Sequence, residues 1–342
     1  VACRSGAARR DGAVPSRMGK ERMSLPRVTL VMGFPASGKS TLTASLMAKG
    51  FAILNRDSEG GTMRNLLQKF RESLVADAKV VLDNTFGTVV EREPFIEAAR
   101  AVDVKIDCCW MATSAEDAQV NALHRMWDRY GQVFLDADEI KAHEAARKDP
   151  NIFPPAAIFA YKKRFEKPTV EEGFARVEKV PFVRRPPKGT RKALILDYDG
   201  TLRRDAMECG GQFHYPVTPN QVQVLPNRSV VLQRYKDQGY LLLGASTQSG
   251  IAKGHLSSDD ALACFRETNR QLGLSITHAH CKHGSFPVAC YCRKPQSGLG
   301  VYLTRLYDLD PAQCVMVGDL GTDRTFADRC GFQFATADDF FK

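Results

Sequence analysis

Three sets of residues in this sequence have types and spacings that could do chemistry. The first is GFPASGKST, Gly33 to Thr41. In a G-x-x-x-x-G-K-S loop that follows a strand and opens a helix, backbone N–H groups wrap nucleotide phosphates. The lysine reaches the terminal phosphates, and the serine hydroxyl ligates magnesium. Gly33, Gly38, Lys39, Ser40 and Thr41 are therefore the expected nucleotide-binding residues. Phosphoryl transfer also needs a group to take a proton from the acceptor. Asp57, which closes FAILNRD at the C-terminal end of a second strand, is the candidate base. LDNT, Leu82 to Thr85, brings Asp83 and Thr85 to the same edge, near metal or acceptor. Cations over the leaving phosphates would come from NALHRMWDR, through Arg125 or Arg129.

The second set is LILDYDGTL, Leu194 to Leu202. Its aspartates stand at i and i+2 on an apolar strand, so both can converge on one phosphate and one magnesium. Asp197 could attack phosphorus, and Asp199 could protonate the leaving oxygen and then activate water. Carboxylates brought this close repel each other unless a cation lies between them. The third set, Cys281-x-His283 with Cys290-x-Cys292, supplies four soft ligands, enough for a closed tetrahedral zinc site. His278 and His280 stand close enough to compete for a place in it. A disulfide reading is weakened by the lack of any secretion signal.

The elements that must position these groups are readable from apolar runs. RVTLVM, FAILN, KVVLDNT and VKIDCCWMAT read as strands separated by helix-length segments, including one after the first loop with Leu42, Leu46 and Met47 as its apolar positions. The pattern restarts at KALILDYDG, GYLLLGAS and QCVMVGD. Such alternation predicts α/β architecture: two doubly wound parallel-sheet domains. The expected division is a first domain over 27–183, a basic linker over 184–192 within PFVRRPPKGTRK, and a second domain over 193–342 with a metal loop at 281–292. Residues 1–26, basic and rich in small residues, fit a transit peptide, an over-extended reading frame or a disordered tail. DAMECGGQFHY, residues 205–215, lies where a substrate-facing loop would be.

The chain has 342 residues, enough for two cores, and ten cysteines, too few per length for a disulfide scaffold. Cys108, Cys109, Cys264 and Cys314 sit among apolar neighbours and read as reduced core thiols, which suits a cytoplasmic setting. No apolar run reaches the roughly 20 residues that cross a bilayer. A formal net charge of +9 favours polyanionic partners.

Residues 27–183 resemble the kinase domain of the polynucleotide kinase-phosphatase family, through LNRD, KVVLDNTFGTVVEREPFIEAARA and IFAYKKRFEKPTVEEGF. That resemblance implies transfer of the γ-phosphate of ATP to a 5′-hydroxyl end of DNA or RNA. Asp57 would be the general base, Lys39 and Ser40 the phosphate and metal contacts, and Arg125 the lid arginine. The D-x-D-G-T motif resembles the first motif of the haloacid dehalogenase superfamily. It implies Ser246 as a hydroxyl on the phosphate, Lys294 on the developing charge, and Asp319 and Asp323 joining Asp197 and Asp199 around Mg2+. Where related phosphatases read T-N-Q-S-G-I-A-R-G, this chain has STQSGIAKG, with Thr247 for the asparagine. The Cys281, His283, Cys290, Cys292 set resembles the zinc loop of heptose bisphosphate and histidinol phosphate phosphatases, where the metal is structural. Zinc there would pin Lys294 and Arg293 against the phosphate pocket.

The resulting expectation is a P-loop kinase fold followed by a haloacid dehalogenase-like fold, in the kinase-first order of phage-type enzymes. Its substrates would be DNA or RNA termini, its cofactors ATP, Mg2+ and structural Zn2+, and a ligase would act downstream. The rival expectation is a small-molecule kinase fused to a sugar-phosphate phosphatase. A third, a binding module with degenerate sites, is disfavoured because the acidic and basic elements are intact.

Overall fold

The computed structural model describes residues 27–59, 61–185, 187–205, 215–286 and 289–342. The N-terminal segment 1–26 and residues 206–214 of the loop expected to face substrate lie outside the described residues.

Strands β1 (Val28–Met32), β2 (Ala52–Asn55), β3 (Val80–Asp83), β4 (Ile106–Met111) and β5 (Arg176–Val180) form a parallel sheet in the order β2-β3-β1-β4-β5. Every residue of β1 is buried, because helices cover both faces of a parallel sheet, and an unbroken apolar run is what such a strand requires. The connecting helices are α1 (Lys39–Met47), α2 (Met63–Val75), α3 (Val89–Arg100), α4 (Ala115–Tyr130), α5 (Ala137–Ala142), α6 (Glu144–Lys148) and α7 (Pro155–Arg164). In α1, Leu46 is buried, but Met47, expected on the apolar face, is 61% exposed. β5 was not among the expected strands; its edge position leaves it half-exposed and polar, so it carries no apolar run.

The second sheet, also parallel, has the order β10-β9-β6-β11-β12, from β6 (Ala193–Leu196), β9 (Leu241–Thr247), β10 (Thr277–Cys281), β11 (Val315–Gly318) and β12 (Gln333–Thr336). A short antiparallel pair, β7 (Arg203–Asp205) and β8 (Val222–Val224), sits beside it. Its helices are α8 (Arg228–Asp237), α9 (Ser249–Ala252), α10 (Ser258–Leu272), α11 (Gly298–Leu306), α12 (Gly321–Cys330) and α13 (Ala337–Phe340).

Register delivers chemistry to one edge of each sheet. Asp83 stands level with Asn55 and Val31. In the second sheet Leu196 pairs with Val317 and Gly244, so the chain leaving β6, β9 and β11 emerges at the same edge.

The two halves are packed, not tethered. α4, capped by Ser114 and ended by Gly131 at φ 66, buries Val120, Leu123 and Met126 in one apolar cluster with Tyr291 and Val301 of the second half. The segment expected as a linker is pinned at both ends: Arg184 pairs with Asp117 of α4 at 2.6 Å and donates to the Arg329 carbonyl. Thr190 and Arg191 donate to the Asp308 carbonyl. Among the described residues, no helix is long and apolar enough to cross a membrane.

Candidate active sites and metal centre

In the first half, the loop between β1 and α1 turns through Gly33 at φ 146 and Gly38 at φ 89. A Cβ at Gly33 would lie 2.9 Å from the Met111 Cβ and the Ser37 Oγ, so only glycine lets the loop close on the sheet. Lys39 Nζ donates to the carbonyls of Gly33 at 3.2 Å and Phe34 at 2.9 Å, bracing the loop. Burial pushes the lysine down to about 8, against the opposing pull of Asp83.

The adjoining cavity, about 250 Å³, is lined by Gly38, Lys39, Ser40, Asp57, Asp83, Thr85 and Arg125, together with Arg56, Asn84, Asn151 and Phe153. Thus the structure gathers most of the expected residues of the first site; Gly33 stands behind the loop, and Thr41 is exposed on α1. Asp83 is buried, which raises its carboxyl. One of its oxygens faces Thr43 at 3.5 Å, and the other, Oδ1, has no hydrogen-bond partner among the described residues. An orphaned carboxylate oxygen beside a phosphate cradle fits a divalent cation. Asp57 receives the Arg56 guanidinium at 3.3 Å, and Arg125 reaches Asn151 at 3.4 Å.

In the second half, Asp197 follows β6 directly, and its backbone N–H donates to the Val317 carbonyl at 3.0 Å. Lys294 forms ion pairs with Asp197 and, at 2.6 Å, with Asp323. Burial alone would lower the lysine, but the two carboxylates outweigh it and hold it above the usual range. Burial, together with Asp323 and Asp199, pushes Asp197 up to about 7 despite the lysine. Ligand atoms of Asp197, Asp319 and Asp323 lie within 4.8 Å of one another, with one buried ammonium between two of them, so a divalent cation would offset the surplus negative charge. Gly200, at φ 86, is required here: a Cβ on it would run into the Asp319 carboxylate.

Asp199, expected as a fourth magnesium ligand, is not in that group. Its Oδ1 takes the Arg203 Nε at 2.8 Å and its Oδ2 takes the Gln248 Nε2 at 2.7 Å. Gln248 also donates to Ser246 Oγ at 2.8 Å, which ties the hydroxyl to the acid. Arg203 is fully buried between Tyr198 and Phe265, with its Nη1 on Thr268 Oγ1 at 3.1 Å. Arg203 and Gln248 were not singled out in the sequence, although both adjoin its motifs, in DGTLRR and STQSG. Thr247 Oγ1 is buried and unpartnered among the described residues.

The candidate metal centre is the cluster of Cys281, His283, Cys290 and Cys292. Cys281 Sγ lies 3.8 Å from Cys290 Sγ and 3.5 Å from His283 Nδ1, which is itself 3.3 Å from Cys292 Sγ. Zinc bonds of about 2.3 Å to sulfur and about 2.0 Å to nitrogen put tetrahedral sulfur donors about 3.8 Å apart and sulfur about 3.5 Å from nitrogen. The four donors fit such an ion. His278 and His280 instead stack beside Phe265, at 4.0 and 5.4 Å between ring centroids, outside the donor group. His283 turns its other nitrogen, Nε2, to Asp136 Oδ2 of the first half at 2.9 Å.

Known proteins divide along the same line. The AAA domain family matches residues 28–168, and the HAD-hydrolase-like family matches residues 291–336. The bifunctional polynucleotide phosphatase/kinase of Schizosaccharomyces pombe is 33% identical over 156 residues, 45% of this chain and 33% of that enzyme, so the match spans a third of that relative's length. The D-glycero-beta-D-manno-heptose-1,7-bisphosphate 7-phosphatase of Pasteurella multocida is 33% identical over 138 residues, 38% of this chain and 71% of that enzyme. The probable D-glycero-D-manno-heptose-1,7-bisphosphate 7-phosphatase of Thermoplasma volcanium is 30% identical over 148 residues, 42% of this chain and 96% of that one. The crystal structure of the D,D-heptose 1,7-bisphosphate phosphatase of B. bronchiseptica, complexed with magnesium and phosphate, is 26% identical with a TM-score of 0.38, covering 42% of this chain and 79% of that one.

Proposed function

This chain belongs, through its phosphatase part, to the family of the D-glycero-D-manno-heptose-1,7-bisphosphate 7-phosphatases and joins that part to an AAA-type kinase domain; from this premise we propose that it is a nucleic-acid end-healing enzyme. The kinase would phosphorylate 5′-hydroxyl ends and the phosphatase would remove 3′-phosphates.

In the kinase pocket, Lys39 and the loop N–H groups hold the phosphates of ATP, and Asp83 and Ser40 would hold magnesium, which would neutralise charge on the transferring group. Asp57 takes the proton of the incoming hydroxyl as its oxygen attacks the γ-phosphorus and the bond from that phosphorus to the bridging oxygen breaks, releasing ADP, while Arg125 would meet the charge on the phosphates. In the phosphatase pocket, Asp197, Asp319 and Asp323 would hold magnesium, which would screen the phosphate from the attacking carboxylate. Asp197 attacks phosphorus and the bond to the leaving oxygen breaks, with Asp199 giving that oxygen a proton. Asp199 then takes a proton from water as the water attacks the aspartyl-phosphate, releasing phosphate and restoring Asp197. Lys294 and Ser246 bind the phosphoryl oxygens. Zn2+ in the cysteine clip would be structural, since protein fills all four positions.

The observation that carries the polynucleotide reading is a cleft of about 470 Å³ that borders the nucleotide pocket at Arg125 and is lined by Arg125, Arg129, Arg185 and Arg305 against one aspartate, Asp128. Burial, reinforced by Arg305 and Arg184, pushes His124 in the same cleft down to about 4. Such a surface suits a phosphodiester backbone, whose binding weakens steeply with salt. The Schizosaccharomyces pombe relative supports the same substrate class. The second reading, a sugar-phosphate phosphatase, is favoured by the metal clip and the heptose bisphosphate relatives.

The test is an oligonucleotide bearing a 5′-hydroxyl and a 3′-phosphate, incubated with labelled ATP and magnesium, both ends being followed by gel and mass. Labelling at one end with phosphate loss at the other is expected. An unchanged oligonucleotide, with heptose bisphosphate hydrolysed by the same preparation, would transfer the assignment to the second reading.

A further inference from the structure

The metal clip touches more than the phosphatase. Cys292 stands two residues before Lys294, the expected link to the phosphatase pocket. On the opposite side, the clip is seated on residues 133–153 of the kinase half. Asp136 and Cys290 form an antiparallel β-bridge, and the Tyr291 N–H donates to the Leu135 carbonyl at 2.7 Å. Tyr291, held between two metal ligands in sequence, is fully buried among Leu123, Met126, Phe134 and Ile152. Its hydroxyl donates to the carbonyl of Phe153 at 3.0 Å, and Phe153 lines the nucleotide pocket.

Asp136 makes the closest polar link. Its two oxygens have separate partners: Oδ1 caps α5, accepting from the N–H groups of Asp138 at 2.9 Å and Glu139 at 2.8 Å, while Oδ2 faces His283 Nε2 at 2.9 Å. His283 has its Nδ1 among the three sulfurs, so Nε2 is left to donate a proton to a carboxylate. That is how ligating histidines are held in one tautomer and orientation. Asp136 is 8% exposed, which keeps water from replacing it in that role.

We propose that Asp136, a residue of the kinase half, is the positioning residue for the zinc clip of the phosphatase half, so that one metal ion braces both catalytic pockets. Loss of the metal then frees residues 133–153 as well as Lys294. Loss of Asp136 loosens the metal from outside its ligand set. The inference rests on the zinc reading of the four donors and is independent of whether the substrates are nucleic acids.

Serine keeps the helix-capping oxygen of Asp136 but cannot span to His283. Full-length Asp136→Ser and the control Asp138→Asn, which alters an exposed neighbour, would be compared with the unaltered chain for zinc transfer to the chelating dye 4-(2-pyridylazo)resorcinol. Zinc held about 10- to 100-fold more weakly in Asp136→Ser alone is expected; affinity equal to that of the unaltered protein overturns the proposal. Hydrogen exchange of the unaltered chain, with zinc and after chelation, supplies a second measurement. Faster exchange across residues 133–153 while β1 and β4 stay protected supports the brace. Unchanged exchange in 133–153 refutes it. If chelation exposes β1 and β4 as well, the dye measurement on Asp136→Ser decides.

Discussion

The two pockets handle phosphate from opposite starting points. In the phosphatase pocket, Asp197, Ser246, Lys294 and Asp323 are all buried, the lysine already bridging the two carboxylates at the end of the central strand and Gln248 tying Ser246 to Asp199. In the kinase pocket, the Asp57 side chain is 43% exposed, Ser40 is exposed, and Arg125 donates to the side-chain oxygen of Asn151. A carboxylate that itself attacks phosphorus must be aimed in advance, and burial among fixed charges aims it. A kinase must admit two substrates, so its groups stand around an open cavity and are completed by what binds there. The phosphatase site is thus part of its domain's core, whereas the kinase site is a partly exposed cavity at the edge of its sheet.

The sharpest way to break this comparison is Asp197→Asn. It should lower phosphatase turnover by about 10³-fold or more while 5′-phosphorylation persists. A parallel fall in kinase activity would mean that the pockets are not chemically separate. Asp57→Ala should lower kinase turnover by about 10²- to 10⁴-fold and leave phosphate-ester hydrolysis unchanged; retention of kinase turnover would remove Asp57 as the base. Gly200→Ala tests the rigidity of the phosphatase pocket. The left-handed backbone and the collision with Asp319 should cost about 1–3 kcal/mol of stability, read by thermal unfolding, and should reduce phosphatase activity well before kinase activity.

The smallest effect concerns pH. Burial lowers Lys39 to about 8, so kcat/KM for ATP should decline by up to about tenfold between pH 8 and 9. Because the folded chain holds the lysine's proton less tightly than the unfolded chain, whose lysine titrates near 10.5, the contribution of Lys39 to stability rises over the same interval and on to about pH 10.5. A Lys39→Met chain should lack both trends; an identical profile would assign the pH dependence to another group.

Legibility followed the way each function is encoded. The phosphate loop, the paired aspartates and the C-x-H with C-x-C set were readable because their chemistry needs particular residue types at fixed short spacings. The three central strands of the kinase sheet, β3, β1 and β4, were readable because burial on both faces demands apolar runs. β5 was not, since RVEKV at an edge has only half-buried and exposed positions and no apolar run. Arg203 resembled any basic residue after a turn until the fold buried it between two aromatic rings against Asp199. Asp199 was expected on the metal because i and i+2 share a side of a strand, but it lies beyond the end of β6, where the chain turns and the alternation no longer holds.

The kit of parts is written along the chain: an α/β chain with two parallel sheets, a nucleotide loop, an aspartate pair and a four-ligand clip, because local backbone geometry and ligand chemistry act over a few residues. How those parts share supports emerges only in the folded molecule. Asp136 meets His283 across 147 positions of chain, and the basic segment at 184–192 is fastened to both halves. Contacts of that kind arise when two cores pack on each other, and no spacing along the chain records them.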